Sequence, residues 1–376
     1  MHIPLCKPFF DSSEVTNIKK VLDSGWVSKG PMVKEFEDKV KDFLGVKHAI
    51  GVVNCTSALH LSLLSLSISQ GDEVLVGDYT FPSTGHAVLY CGGRPIFVDV
   101  SPRSFNIDPS LINGKVTNKS KAVIPVHTFG QPCDMDMVMS AAKDHGLYVV
   151  EDAACAFGAK YKDRFAGTIG DVGCFSFHAR KGITTGEGGM VVTDNKKIAE
   201  RVRCLSTFGM SSAWERENNV FVIPVFNDVG YNYKMSDITA AVGISQLSKL
   251  RHIIEYKQRL ARYYDKCLRS FGYLSVPYVS EDVEHVYQSY VVLVDKKIDR
   301  NLLITKLRTR GVQCQIGTYA SHIQPVYRSV DMCPVSLDVF HRALALPMYY
   351  DMTTGDVDRV VGTVRTVLNE GGVFLA

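Results

Sequence analysis

CFSFHARKGITTGEGGMVVTD, residues 174–194, is the stretch on which the fold turns. It opens on an apolar run that reads as a strand and delivers Ser176 and His178. A short turn then holds Lys181, and the glycine-rich residues 186–189 reverse the chain into a second apolar run. Glycine at such a bend permits positive φ and close backbone approach. A lysine in a loop is ordinarily a solvated surface residue. This one follows a strand end, the place where an α/β sheet opens its ligand crevice and where an imine-forming amine belongs. Set against a cationic cofactor in a desolvated pocket, such an amine falls in pKa and becomes a nucleophile and proton carrier.

Working outward, short β-branched runs alternate with helical patterns from about residue 48 to residue 194. The strand candidates are 48–54, 73–78, 94–100, 121–127, 147–153, 172–178 and 188–194. Most are continuous apolar runs, which predicts strands covered on both faces. Between the first two, CTSALHLSLLSL sets Leu59, Leu63 and Leu66 on one helical face. The alternation predicts an α/β fold with a mostly parallel central sheet. After about residue 236 the texture changes to a long helical stretch, then to strand-like YQSYVVLVD and a terminal amphipathic DVDRVVGTVRTVL. This predicts a large domain over 1–245, including the N-terminal arm, and a smaller C-terminal α/β domain over 246–376.

The chain has 376 residues, with 46% hydrophobic and 22% charged, an ordinary globular balance. A net charge of +3 creates no field that calls for nucleic acid or an anionic membrane. The 10 cysteines include no C-x-x-C pair and no cluster with zinc spacing, so no metal is expected. Cysteines within apolar runs predict reduced thiols and a cytoplasmic protein. MHIPLCKPFF lacks the marks of a signal peptide, and no apolar run reaches membrane-spanning length.

Three other stretches bear on chemistry. In VVEDAACAFGAKY (149–161), Asp152 ends an apolar strand, an expensive place for a carboxylate unless it meets a cation. A pyridinium nitrogen would supply one; a helix N-cap is an equal alternative. In VVNCTSALHL (52–61), Thr56 and Ser57 stand at the first turn of a helix, where hydroxyls and amides bind phosphate or simply cap. In DYTFPST (78–84), Phe81 ends another strand, either as a stacking platform or as core.

Together these stretches resemble the DegT/DnrJ/EryC1/StrS family, sugar aminotransferases of the aspartate-aminotransferase fold (PLP fold type I). The resemblance runs from SGWVSKGPMVKEFE (24–37) through FVDVSPRSFNIDP (97–109) and IPVHTFGQPCDMD (124–136). It continues in FSFHARKGITTGEGG (175–189) and GYNYKMSD (230–237), and ends at LPMYYDMTTGDVDRV (346–360). It implies pyridoxal 5'-phosphate (PLP) as cofactor, with Lys181 as the Schiff-base lysine. It implies that Asp152 pairs with the pyridine nitrogen, that Phe81 stacks on the ring, and that Thr56, Ser57 and Ser176 bind phosphate. Asn232 matches an asparagine that reaches the neighbouring subunit's cofactor, which implies a homodimer with shared active sites. The substrates implied are a nucleoside-diphosphate-linked keto sugar and an amino-acid donor, L-glutamate.

Two departures stand out. The family usually carries Gln or His three residues after the aspartate, near the phenolic oxygen of PLP; this chain has Cys155, a weaker donor. The family's Pro-Thr before the lysine is here Ala179-Arg180. Residues 315–328 are expected to shape the sugar site, with Lys29 and Lys234 as candidate phosphate partners or structural lysines. The competing readings are amination of a cyclitol or other non-nucleotide ketone, and a catalytically silent PLP-binding regulator. A dinucleotide enzyme ranks below both, because no G-x-G-x-x-G joins an early strand to a helix.

Overall fold

The computed structural model describes residues 2–210 and 223–375. Seven strands form the central sheet: β1 (His48–Val52), β2 (Glu73–Gly77), β3 (Arg94–Val98), β4 (Ser120–Ile124), β5 (Tyr148–Asp152), β6 (Val172–Ser176) and β7 (Gly189–Thr193). Their order is β1-β7-β6-β5-β4-β2-β3, and only β7 runs antiparallel to its neighbours. Each strand predicted from sequence is present. Most end one or two residues early, because those last residues leave the sheet to build loops at its carboxyl edge.

Alternate residues of each strand enter cores on opposite faces. Ile50, Val74, Val76, Ile124, Val150 and Val191 pack under helices Cys55–Ser65, Ser83–Tyr90 and Lys196–Ser206. Leu75, Val123, Val149, Phe175, Met190 and Val192 pack under Pro31–Leu44, Met135–His145 and Asp237–Leu268. Burial on both faces is why these strands read as continuous apolar runs.

The helix Cys55–Ser65 departs from the one-sided pattern expected of it. It is buried on nearly every side, His60 and Ser62 included, because the sheet lies beneath it and two helices flank it. The Ser62 hydroxyl is satisfied within the layer, donating to the Ala58 carbonyl at 2.7 Å and lying 3.2 Å from the Cys174 sulfur.

A second, antiparallel sheet joins Leu274–Ser275, Tyr290–Val294, Ala343–Leu346 and Gln315–Ile316 in that order. Helices Arg300–Thr309 and Thr354–Asn369 cover it. The long helix Asp237–Leu268 serves both bodies of packing: Leu250, Ile253 and Ile254 belong to the first core, and Leu260, Ala261, Tyr264 and Leu268 to the second. Ile3 also belongs to the second core, tied there by its amide to the Gly311 carbonyl at 2.8 Å. The N-terminal arm, expected within the large domain, thus contributes Ile3 to the second core. Among the described residues, no helix is long and apolar enough to cross a membrane.

Candidate active site

The parallel strands point their carboxyl ends toward one rim, and that rim collects the predicted site residues. Asp152 ends β5 and Ser176 ends β6, with Asp152 in register with Cys174. Thr56 and Ser57 follow β1, Phe81 follows β2, and Lys181 follows β6. Open α/β sheets bind ligands at this edge.

The loop after β6 is tightly specified. The Lys181 amide closes a turn onto the His178 carbonyl at 2.9 Å, and the Thr185 amide returns to Phe177 at 2.9 Å. Gly186 takes φ +84°, a conformation few side chains tolerate, and its amide donates to the Thr184 hydroxyl at 2.9 Å. At Gly189 a Cβ would lie 2.4 Å from the Asn54 carbonyl carbon. Its absence lets β7 pass directly beneath the start of helix Cys55–Ser65.

Lys181 Nζ donates to Cys155 Sγ at 3.2 Å. Burial by itself lowers the lysine's pKa, but the Cys155 thiol, then Cys55 and the Asp152 carboxylate, outweigh it, and the net shift is upward. That is opposite to the fall expected beside a cationic partner, because the nearest charge-bearing groups of the chain itself are acidic.

Asp152 is buried and its two oxygens are oriented. Oδ2 accepts from the Thr84 hydroxyl at 2.7 Å, and Oδ1 from the Ala154 amide at 3.1 Å. Thr84 is itself buried and lies 2.9 Å from the Thr80 hydroxyl. One residue back, the buried Glu151 meets His127 at 2.8 Å and anchors β5 from the opposite face. No local pattern in the sequence marks Thr84; for Glu151 the paired acids in VVED are the one signal.

Helix Cys55–Ser65 is capped by Asn54, whose side chain accepts from the Ser57 amide at 2.8 Å. The Cys55 and Thr56 amides precede the first intrahelical bond, so the helix start retains donors for an anion. Ser176 Oγ accepts weakly from the His178 amide at 3.4 Å and lies across the β6–β7 pairing from Gly189. Phe81 is 63% exposed, with Tyr319 6.2 Å away between ring centroids. It is therefore a free aromatic face and not core. Tyr319–Ala320 pairs with Tyr79–Thr80, so the 315–328 segment does reach the rim beside Phe81.

Asn232 is exposed on the chain and accepts a hydrogen bond from Lys234. Lys29 lies among Glu37, Arg203 and Lys234; burial first, then the two cations, lower its pKa. The residues after Lys234 are structural: Ser236 caps its own helix, while Asp237 accepts from the amides of Gly30, Met32 and Val33 and so caps helix Pro31–Leu44.

Asp78, His322 and Cys333 also lie together. The carboxylate is engaged by the chain: Oδ2 accepts from Ser336 Oγ at 2.5 Å and lies 2.7 Å from His322 Nδ1, and Oδ1 accepts from the His322 amide at 2.6 Å. The cluster clamps the segment after Tyr319–Ala320 to the end of β2.

These residues fit PLP. A buried, oriented carboxylate, an exposed aromatic face, a helix start with spare donors and a half-buried amine share one rim. The sequence pattern of the DegT/DnrJ/EryC1/StrS aminotransferase family matches residues 8–365. The spore coat polysaccharide biosynthesis protein SpsC of Bacillus subtilis is 38% identical, with 97% of each chain covered. The GDP-perosamine synthase of Escherichia coli O157:H7 is 38% identical over 95% of this chain and 96% of that one. Among solved structures, the aminotransferase TlmJ from Streptoalloteichus hindustanus superposes with a TM-score of 0.92 at 30% identity, covering 98% of this chain and 100% of that one.

Proposed function

The chain belongs to the DegT/DnrJ/EryC1/StrS aminotransferase family and is a PLP-dependent sugar aminotransferase; from that premise we propose that it moves the amino group of L-glutamate onto a nucleoside-diphosphate-linked keto (deoxy)hexose, making an amino sugar for a surface polysaccharide. Two relatives, a spore coat polysaccharide biosynthesis protein and a GDP-perosamine synthase, support that substrate class. The observation that carries the reading is the rim itself, where Asp152 ends one strand and the loop after the adjacent strand brings Lys181 within its electrostatic reach.

When bound, PLP supplies an imine-forming aldehyde on a ring that accepts electrons. Asp152, fixed by Thr84, would hold the ring nitrogen in its protonated form. Thr56, Ser57 and Ser176 hold the phosphate at the helix start. Phe81 would supply the aromatic face against the ring. Lys181 Nζ, kept in place by Cys155, would be the amine that holds the cofactor and the base that takes the proton at the donor α-carbon. The sequence of half-reactions then needs only one amine, able to serve both substrates in turn.

Asn232 is exposed in the single chain, with Lys234, Lys29 and Arg203 near it. This supports a homodimer in which Asn232 completes the neighbouring site. All ten cysteines are unpaired, in keeping with a reducing, cytoplasmic setting.

The test is incubation with L-glutamate and a panel of nucleoside-diphosphate 3-keto and 4-keto hexoses, read by product mass. An amino sugar from one of them, lost in Lys181→Ala, is expected. Turnover confined to cyclitol or unphosphorylated ketones refutes the substrate class.

A further inference from the structure

A small cavity lies behind the Lys181 loop, where the N-terminal arm, the long helix and the segment after Ala343–Leu346 converge. Lys7, Arg180, Lys181 and Lys257 line it, and no carboxylate does. Lys257 is 6% exposed, projects from helix Asp237–Leu268 and has no ion-pair partner among the described residues. A buried ammonium without a counter-charge is strongly disfavoured. Burial holds its pKa down at about 8, with the Cys6 and Cys155 thiols opposing that shift. Cys155 is also the group that touches Lys181 Nζ. The unpaired cation thus shares this cavity with Lys181.

The cavity has room for about one water-sized group. That suits a carboxylate oxygen and excludes a whole substrate. The reaction brings one such anion to this place, attached to the carbon next to the transferred amine.

We propose that Lys257 at the floor of this cavity, with Arg180 and Lys7 at its exposed mouth, binds the α-carboxylate of the amino-acid donor. The inference rests on the reading that the amine comes from an amino acid. It assigns the donor's charged end to the long helix and the N-terminal arm, and leaves the opposite side of the rim to the sugar.

The experiment follows the donor half-reaction on the holoenzyme by stopped-flow absorbance. Lys257→Met should raise the half-saturating concentration of L-glutamate at least about tenfold, with the limiting rate changed less than about threefold; Lys257→Arg should stay near wild type. Calorimetry with glutarate, which cannot react, should show the same weakening. Wild type should also discriminate against the α-amide of L-glutamate, and that discrimination should vanish in Lys257→Met. The last comparison needs only the wild type if the variant does not fold.

Unchanged half-saturation in a folded Lys257→Met, or a wild type that accepts the α-amide as readily as L-glutamate, overturns the proposal. A wild type whose visible band responds to no amino acid refutes the amino-donor reading itself, a distinct result.

Discussion

Replacing Glu151 by glutamine should unseat the strand that presents Asp152. The Glu151 carboxylate is fully buried: Oε2 lies 2.8 Å from His127 Nε2 and accepts from the Gly167 amide at 2.7 Å, while Oε1 accepts from the Ile169 and Gly170 amides, each at 2.6 Å. His127 Nδ1 accepts from the Cys133 amide at 3.0 Å, which places the ring proton on Nε2, facing Glu151. Burial pushes the carboxyl pKa up, but the His127 bond and the backbone donors prevail and hold it below its ordinary value.

A glutamine oxygen can serve two of these donors. Its NH2 then confronts the other two. Bonds to a charged acceptor contribute about 1.5–3 kcal/mol each, so the loss should come to roughly 3–5 kcal/mol, the range for a broken buried pair. At about 2 °C per kcal/mol for a large chain, Tm should fall by roughly 6–10 °C.

The pH dependence fixes the sign. A carboxyl whose folded pKa is depressed contributes stability above its unfolded value, about 4.3, and that contribution is lost as pH falls through the lower folded value. The gap between wild type and Glu151→Gln, measured by thermal unfolding, should therefore hold near neutrality and narrow below about pH 4.3. A Tm within about 2 °C of wild type, or a gap that widens in acid, refutes the reasoning.

Thr84→Val removes the hydroxyl that orients Asp152 and should lower kcat about tenfold or more in steady-state assays, with a Tm loss of roughly 3–6 °C. Gly189→Ala forces a Cβ against the backbone at Asn54 and should cost about 1–3 kcal/mol while weakening cofactor affinity in a dialysis titration, because the helix start must retreat. His322 is raised in pKa chiefly by its hydrogen bond to Asp78. The stability from that pair is complete below about pH 6.5 and is lost as pH rises through the higher folded value. Wild-type Tm should accordingly fall more than that of His322→Ala between neutral and alkaline pH.

The central sheet was legible because both its faces are apolar: Val149 and Val150 each sit in a core, on opposite sides, and leave a run that only a doubly covered strand produces. The rim positions of Asp152 and Ser176 were legible because they stand at the ends of those runs, and that of Lys181 because it follows one of them. Thr84 was not, since its role depends on a distance to Asp152 that no local pattern encodes. The same holds for Asp237, which caps a helix 200 residues earlier in the chain. Helix Cys55–Ser65 misled because its serines and His60 count as polar in any one-face pattern, although the packing buries them. In the sequence Lys257 is one charge among many on a long helix. Only the convergence of the arm and the 348–350 segment on it makes it an interior group.

Reduction of the holoenzyme with borohydride, followed by peptide mass mapping, tests the central claim most directly, because it fixes the cofactor to the amine that holds it. The cofactor should be found on the peptide containing Lys181, and Lys181→Ala should yield no such adduct. An adduct on Lys257, the buried amine whose pKa of about 8 makes it the competing nucleophile, would contradict the account.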